Sequence, residues 1–205
     1  MPTISCCASI HVNAEIEGAR CGPCGFDLIF SNGVELEVYI FRRRLNRGLK
    51  CCDWGLEIDG HEARQDCSRE KCSPKVVELL SSLIGSKATG VTYCCNGGGS
   101  LEIQVIDNNT LKTLHVLVGE ECCISYVTSK YTRIPLDPVN AEKYAKELQD
   151  RLIDAYVHHV HGETYLCIEE TQLDEVEELC RQGRLGREVC SRLTRRDMNG
   201  AGVVA

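Results

Sequence analysis

The chain opens on a period-two run. Ile4, Cys6, Ala8, Ile10, Val12, Ala14 and Ile16 are apolar, and Thr3, Ser5, Cys7, Ser9, His11, Asn13 and Glu15 lie between them. Successive side chains of an extended backbone point to opposite faces, so this alternation predicts a long β-strand with one buried face, bent or broken midway.

Residues 26–41, FDLIFSNGVELEVYIF, read as a hairpin. A two-residue Asn32-Gly33 loop would set Phe30 against Glu35 and Asp27 against Val38. A three-residue loop, Ser31-Asn32-Gly33, sets Phe30, Leu28 and Phe26 against Val34, Leu36 and Val38. The second register collects the larger apolar set on one face and leaves Gly33 free for a left-handed conformation. It is the register expected here. A second hairpin turns at Asn108-Asn109, where two residues suffice: Ile103 then faces Leu114 and Leu101 faces Val116, and Asn tolerates positive φ.

Between the hairpins, the basic stretch Arg42, Arg43, Arg44, Arg47 and Lys50 leads to a strand over residues 51–58, and residues 60–72 read as a polar loop. Ser73-Pro74 opens a helix as cap and first residue, Val76, Val77, Leu79, Leu80, Leu83 and Ile84 give it an apolar face, and Gly85 ends it. Gly97-Gly98-Gly99-Ser100 reads as a turn, and residues 122–127 as a further strand. Each half of this region carries a cysteine pair (21 and 24; 94 and 95), a hairpin, and vicinal cysteines opening a strand (51–52; 122–123). That order suggests one unit used twice.

From Asp137 the pattern becomes helical. Ala141, Tyr144, Ala145, Leu148, Leu152, Ala155, Tyr156 and Val160 keep one stripe to about Gly162. Residues 164–168 read as an added strand. Thr171 with Asp174 caps a helix ended by Gly183, a short last helix carries Leu185, Val189, Cys190 and Leu193, and the tail frays from Gly200. The expected organisation is a β-rich domain over residues 1–136 and a helical C-terminal segment over 137–205 packed on it.

Composition narrows the function classes. Apolar residues make up 43% of the chain and charged residues 26%, which suits a folded core rather than disorder. No apolar run approaches the roughly 20 residues of a membrane-spanning helix. Formal net charge is −7, which opposes bulk nucleic-acid binding. An acidic block (Glu169, Glu170, Asp174, Glu175, Glu177, Glu178) precedes a basic one (Arg181, Arg184, Arg187, Arg192, Arg195, Arg196). Solvated helix faces explain it better than a docking surface or a DNA-reading helix pair.

Fifteen cysteines are the anomaly. In a short exported chain they would signal a disulfide framework. The opening residues lack the basic-then-apolar order of a secretory signal. The expected setting is therefore a reducing cytosol, with most cysteines free and packed as small hydrophobes. Cys21-Gly22-Pro23-Cys24 has the dithiol spacing of thioredoxin-like enzymes, but a strand rather than a helix follows, and Arg20 stands where those enzymes carry Trp. The same pair could supply half a zinc site, with the second half from Cys51 or Cys52, Cys67 and Cys72, or a histidine. Adjacent cysteines in a strand point to opposite faces, so each vicinal pair offers one ligand per side at most. His158, His159 and His161 are placed at a helix end, where interaction with the helix dipole is the plainer reading and metal binding the sharper one. No phosphate loop, dinucleotide fingerprint, zinc-protease helix or nucleophile elbow occurs.

The order strand, Asn-Gly hairpin, Trp-bearing strand, Leu-rich helix, second hairpin resembles small bacterial β-rich proteins of uncharacterised and immunity type. The residues that carry it are Phe30-Ser31-Asn32-Gly33-Val34-Glu35-Leu36 and Leu101 to Asn108, within about residues 20–130. The resemblance implies a non-catalytic protein that binds another protein, and it transfers no site residue. The sequence thus predicts an α+β fold, an antiparallel sheet of hairpins packed by helices. Its expected function is that of a cytoplasmic protein-binding module with a protein partner or a second copy of itself, with neither membrane nor nucleic acid. The alternative is a zinc- or redox-responsive regulator using Cys21 and Cys24. No catalytic residue and no cofactor other than such a zinc ion is expected.

Overall fold

A computed structural model describes residues 7–42, 50–94, 99–119 and 121–199. Expectations resting on residues 3–6, Arg43, Arg44, Arg47, Cys95, Gly97, Gly98 and the tail from Gly200 lie outside the described residues. The described residues fold mostly as antiparallel strands with four α-helices, so the α+β class is sheet-dominated. The chain divides into two compact units, Met1–Thr128 and Ser129–Ala205.

The first unit begins with β1 (Cys7–Gly22). Burial rises along its apolar face, from exposed Ala8 through half-buried Ile10 and Val12 to buried Ala14 and Ile16. The expected bend is real. The stretch from Cys7 to Glu15 pairs with β7 (Lys87–Cys94), and the stretch from Ile16 to Gly22 pairs with β2 (Gly25–Phe30). Register breaks fall between His11 and Ala14 and between Ile16 and Gly18, and Asn13 takes φ +47°. One strand therefore serves two sets of partners.

Both hairpin registers are as expected. β2 pairs with β3 (Val34–Arg42) through Phe26–Val38 and Leu28–Leu36, and Gly33 sits at φ +81°. β8 (Ser100–Asp107) pairs with β9 (Thr110–Val118) through Leu101–Val116 and Ile103–Leu114, with Asn108 and Asn109 at φ +47° and +63°. The stretch over 51–58 is two pieces, β4 (Lys50–Cys51) on β3 and β5 (Trp54–Ile58). The polar loop expected over 60–72 instead begins as a strand, β6 (His61–Gln65), paired to β5 across a two-residue Asp59-Gly60 turn. Both turn residues have positive φ, +52° and +78°, and Asp-Gly is a strong local signal for such a turn. The polar side chains of β6 hid it.

Helix α1 (Pro74–Ser82) starts as the sequence indicates, with the Ser73 hydroxyl accepting from the Val76 N–H at 3.4 Å. Gly85, at φ +90°, donates its N–H to the Ile16 carbonyl at 2.8 Å and releases the chain into β7. The sequence reading did not anticipate β7. Its apolar positions Ala88 and Val91 are separated by a register break at Ala88/Gly90, which destroys simple alternation. Strand order in this unit is β3-β2-β1-β7-β8-β9-β5-β6. Phe26, Phe30, Leu36, Trp54, Ile103 and Leu114 form one buried cluster with Val76 and Leu80 of α1 and Leu83 just after it. Burying each such side chain contributes roughly 1.5–3 kcal/mol, so this cluster is what holds the unit.

β10 (Cys122–Pro135) is longer than the sequence indicates and carries the chain past Thr128. In the second unit, strands run β11-β12-β10, with β11 at Ala155–Val160 and β12 at Glu163–Glu169. The long helix expected to reach Gly162 is overturned. Helix α2 (Pro138–Gln149) stops before Leu152, which is 90% exposed at φ +62°. Beyond it Ala155, Val157 and His159 alternate with Tyr156, His158 and Val160, and the aromatic and β-branched members favour a strand. His161-Gly162, at φ +50° and +80°, makes the two-residue turn that pairs β11 with β12.

Thr171 does not cap α3 (Leu173–Arg181); it lies in one 3₁₀ turn, Glu170–Gln172. Asp174 and Glu175 in the first turn of α3 suit its dipole instead. Gly183 follows α3 at φ +64°, as expected, and α4 is Arg187–Asn199. Ala141, Tyr144 and Leu148 of α2 share a second buried cluster with Leu166, Ile168, Val176 and Val189.

Candidate functional site

The Cys21 to Cys24 turn joins β1 to β2. Gly22 pairs with Gly25, so Pro23 and Cys24 form the turn itself. Gly25 takes φ +151°, and a Cβ there would run into the Val38 carbonyl, so no side chain fits. Strand follows the motif, as its sequence indicates.

Cys21 and Cys24 do not bond to each other. Cys21 is joined to Cys72 across 6.1 Å between Cα atoms, and Cys24 to Cys51 across 5.0 Å. Cys52 continues the series by bonding Cys122 across 6.0 Å. The turn is pinned further: the Trp54 indole N–H donates to the Pro23 carbonyl at 3.0 Å, and its ring stacks on Phe26 at 5.7 Å. Cys7–Cys94 and Cys180–Cys190 complete five disulfides among the described residues.

The expectation of mostly free cysteines is thereby corrected. Sheet pairing supplies the cause: Cys7 and Cys94 are direct partners on β1 and β7, with Cα atoms 4.1 Å apart. Cys67 and Cys123 keep thiols. Burial, with help from the neighbouring Asp53 carboxylate, pushes the Cys67 thiol up, away from the thiolate a nucleophile needs.

The histidines separate. His158 and His159 lie on β11, on opposite faces of one strand, and His161 is in the turn. His158 is buried, and His159 Nδ1 is 2.9 Å from the Thr164 hydroxyl. Among the described residues, no group of three or more His, Cys, Asp or Glu side chains is set to hold a metal ion in this form.

Two arrangements escaped sequence reading. On the outer face of β1-β2-β3, Arg20, Asp27 and Glu37 stand directly opposite one another. Arg20 pairs with Asp27 at 3.2 Å and with the buried Glu35. Burial pushes the Asp27 carboxyl up, partly offset by Arg20 and reinforced by Glu37. Tyr39 donates its hydroxyl to Glu37 and is thereby pushed up to about 12. Arg20 answers Asp27 and Glu35, while Asp27 and Glu37, directly opposite each other, repel.

The other arrangement is a cleft of about 430 Å³ beside α1. Ile58, Ala63, Leu79, Leu83 and Val105 contribute apolar lining, and Asp59, His61, Glu62, Lys75, Glu78, Asp107 and Lys112 contribute polar lining. Lys112 Nζ bridges Asp59 at 3.2 Å and Asp107 at 3.0 Å, and these hydrogen bonds push its ammonium up. It therefore locks the β5–β6 turn to the β8–β9 hairpin. The Asp-Gly dipeptide was the one local signal for this wall; the pairing of β5 with β9 had none.

Compared with known proteins, the chain matches no family model, no curated protein and no solved structure.

Proposed function

We propose that the protein is a non-catalytic binding module, of adaptor or immunity type, whose α1 cleft receives a side chain of a protein partner. The cleft itself carries this reading. It combines an apolar lining with charged residues of both signs, and apolar surface bordered by polar side chains is how protein–protein contacts are built. In the lining Asp59, Glu62, Glu78 and Asp107 outnumber Lys75 and Lys112, with Lys112 shared between Asp59 and Asp107 and Glu62 paired to Arg64. That balance favours an apolar anchor flanked by a basic group.

Five disulfides support an oxidising working environment over the reducing cytosol expected from the sequence. A photo-crosslinking residue at Ser82, on the cleft, should trap one defined protein or a second copy of this chain. Glu78→Lys should reduce that adduct by roughly tenfold, the effect of 1.4 kcal/mol. A Ser82 probe that traps nothing beyond what a probe at exposed Val139 traps would overturn the reading.

A further inference from the structure

Six cysteines converge on the β1–β2 turn and the chain around it, but their disulfides differ in access. Cys52 and Cys122 are 2% and 4% exposed and belong to the buried cluster. Cys24 is exposed, and Cys21, Cys51 and Cys72 are half-buried. Exposed disulfides are the labile ones, so a reductant reaches Cys21–Cys72 and Cys24–Cys51 before Cys52–Cys122. The buried bond and the Trp54–Phe26 stack remain to hold the fold while the outer pair opens.

The four released thiols share one anchor. Cys21 and Cys24 are the two ends of a single tight turn, and Cys72 Sγ lies 3.3 Å from the carbonyl of Gly22 between them. Thiolates around a tetrahedral zinc ion, with bonds of about 2.3 Å, stand about 3.8 Å apart. Within each pair, Cα separations of 6.1 and 5.0 Å allow two sulfurs at that spacing, and the tight turn from Cys21 to Cys24 joins one pair to the other. A Cys-x2-Cys turn is half of such a site, and Cys51 and Cys72 are the residues the fold delivers to it.

We propose that reduction of Cys21–Cys72 and Cys24–Cys51 converts this turn into a four-thiolate zinc site, making the protein a redox-controlled zinc binder. Each disulfide takes two electrons and two protons from a dithiol reductant, which leaves as its own disulfide. Zinc then displaces the four thiol protons to solvent. This inference is independent of what the α1 cleft binds.

The test uses the whole chain under mild anaerobic reduction, with cobalt(II) as the optical probe and zinc as competitor. One cobalt per chain should give the strong visible bands of a tetrahedral thiolate site, bleached by zinc. Zinc should protect Cys21, Cys24, Cys51 and Cys72 from alkylation, read by peptide mass spectrometry, while Cys67 and Cys123 react as before. Cys72→Ser should weaken binding by more than the roughly 100-fold that loss of an outer-shell partner costs, and Cys67→Ser should leave it unchanged. A reduced wild-type chain without those bands, folded or not, overturns the proposal. So does equal alkylation of all thiols with and without zinc.

Discussion

Asp27 shows how a single side chain reports its surroundings. It faces Arg20 across one strand pair and Glu37 across the other, in the middle of three hydrogen-bonded strands. Burial outweighs the attraction of Arg20, so the folded carboxyl holds its proton above the ordinary value of 3.8. The folded state then binds more protons than the unfolded chain just above that pH. Stability contributed by this group is complete below pH 3.8 and is lost as pH rises through the folded value. Urea unfolding of Asp27→Asn, compared with the parent between pH 3 and pH 7, should show a shallower decline. An identical slope in both would mean that burial does not govern this carboxyl.

Among the elements, α1 depends most on one residue. Ser73 uses its hydroxyl twice: it accepts from the Val76 N–H, and it donates to the Arg64 carbonyl of β6 at 2.9 Å. The cap thus ties the helix start to the strand that forms one wall of the cleft. Ser73→Ala should cost about 1–2 kcal/mol in chemical denaturation, the upper part of the range for a lost cap because two bonds go together. Much of this level was legible in the sequence. Ser73-Pro74, the Ser31-Asn32-Gly33 loop and Asn108-Asn109 act on their immediate neighbours, and their outcomes match. β6 and β11 were not legible, since polar side chains on one and a coincidental helical stripe on the other concealed pairing with a neighbouring strand. The two-residue turns Asp59-Gly60 and His161-Gly162 were the signals that pointed the other way.

For the whole molecule, the disulfides add to the stability that the two buried clusters supply. Cys7–Cys94 closes a separation of 87 residues and Cys180–Cys190 one of 10. Restricting the unfolded chain over those lengths is worth about 4–5 and about 3 kcal/mol respectively. Replacing both Cys7 and Cys94 with Ala should therefore destabilise the protein more than replacing both Cys180 and Cys190, measured by urea unfolding without reductant. Equal losses would show that loop length is not what these bonds act through.

What the sequence alone determined is local: strands where alternation meets a turn, the registers that turn chemistry selects, and the helix that Ser73-Pro74 starts. Each follows from residues a few positions apart, whose steric and hydrogen-bonding preferences operate without the rest of the chain. Which cysteines meet, and that a cleft opens beside α1, only the tertiary structure decided. Cys21 and Cys72 are 51 residues apart, and Cys52 and Cys122 are 70 apart. They come together because β1 is shared between β2 and β7 and because β5 pairs with β9. Pairings over such separations are chosen by the packing of one buried core, and no local preference carries that information.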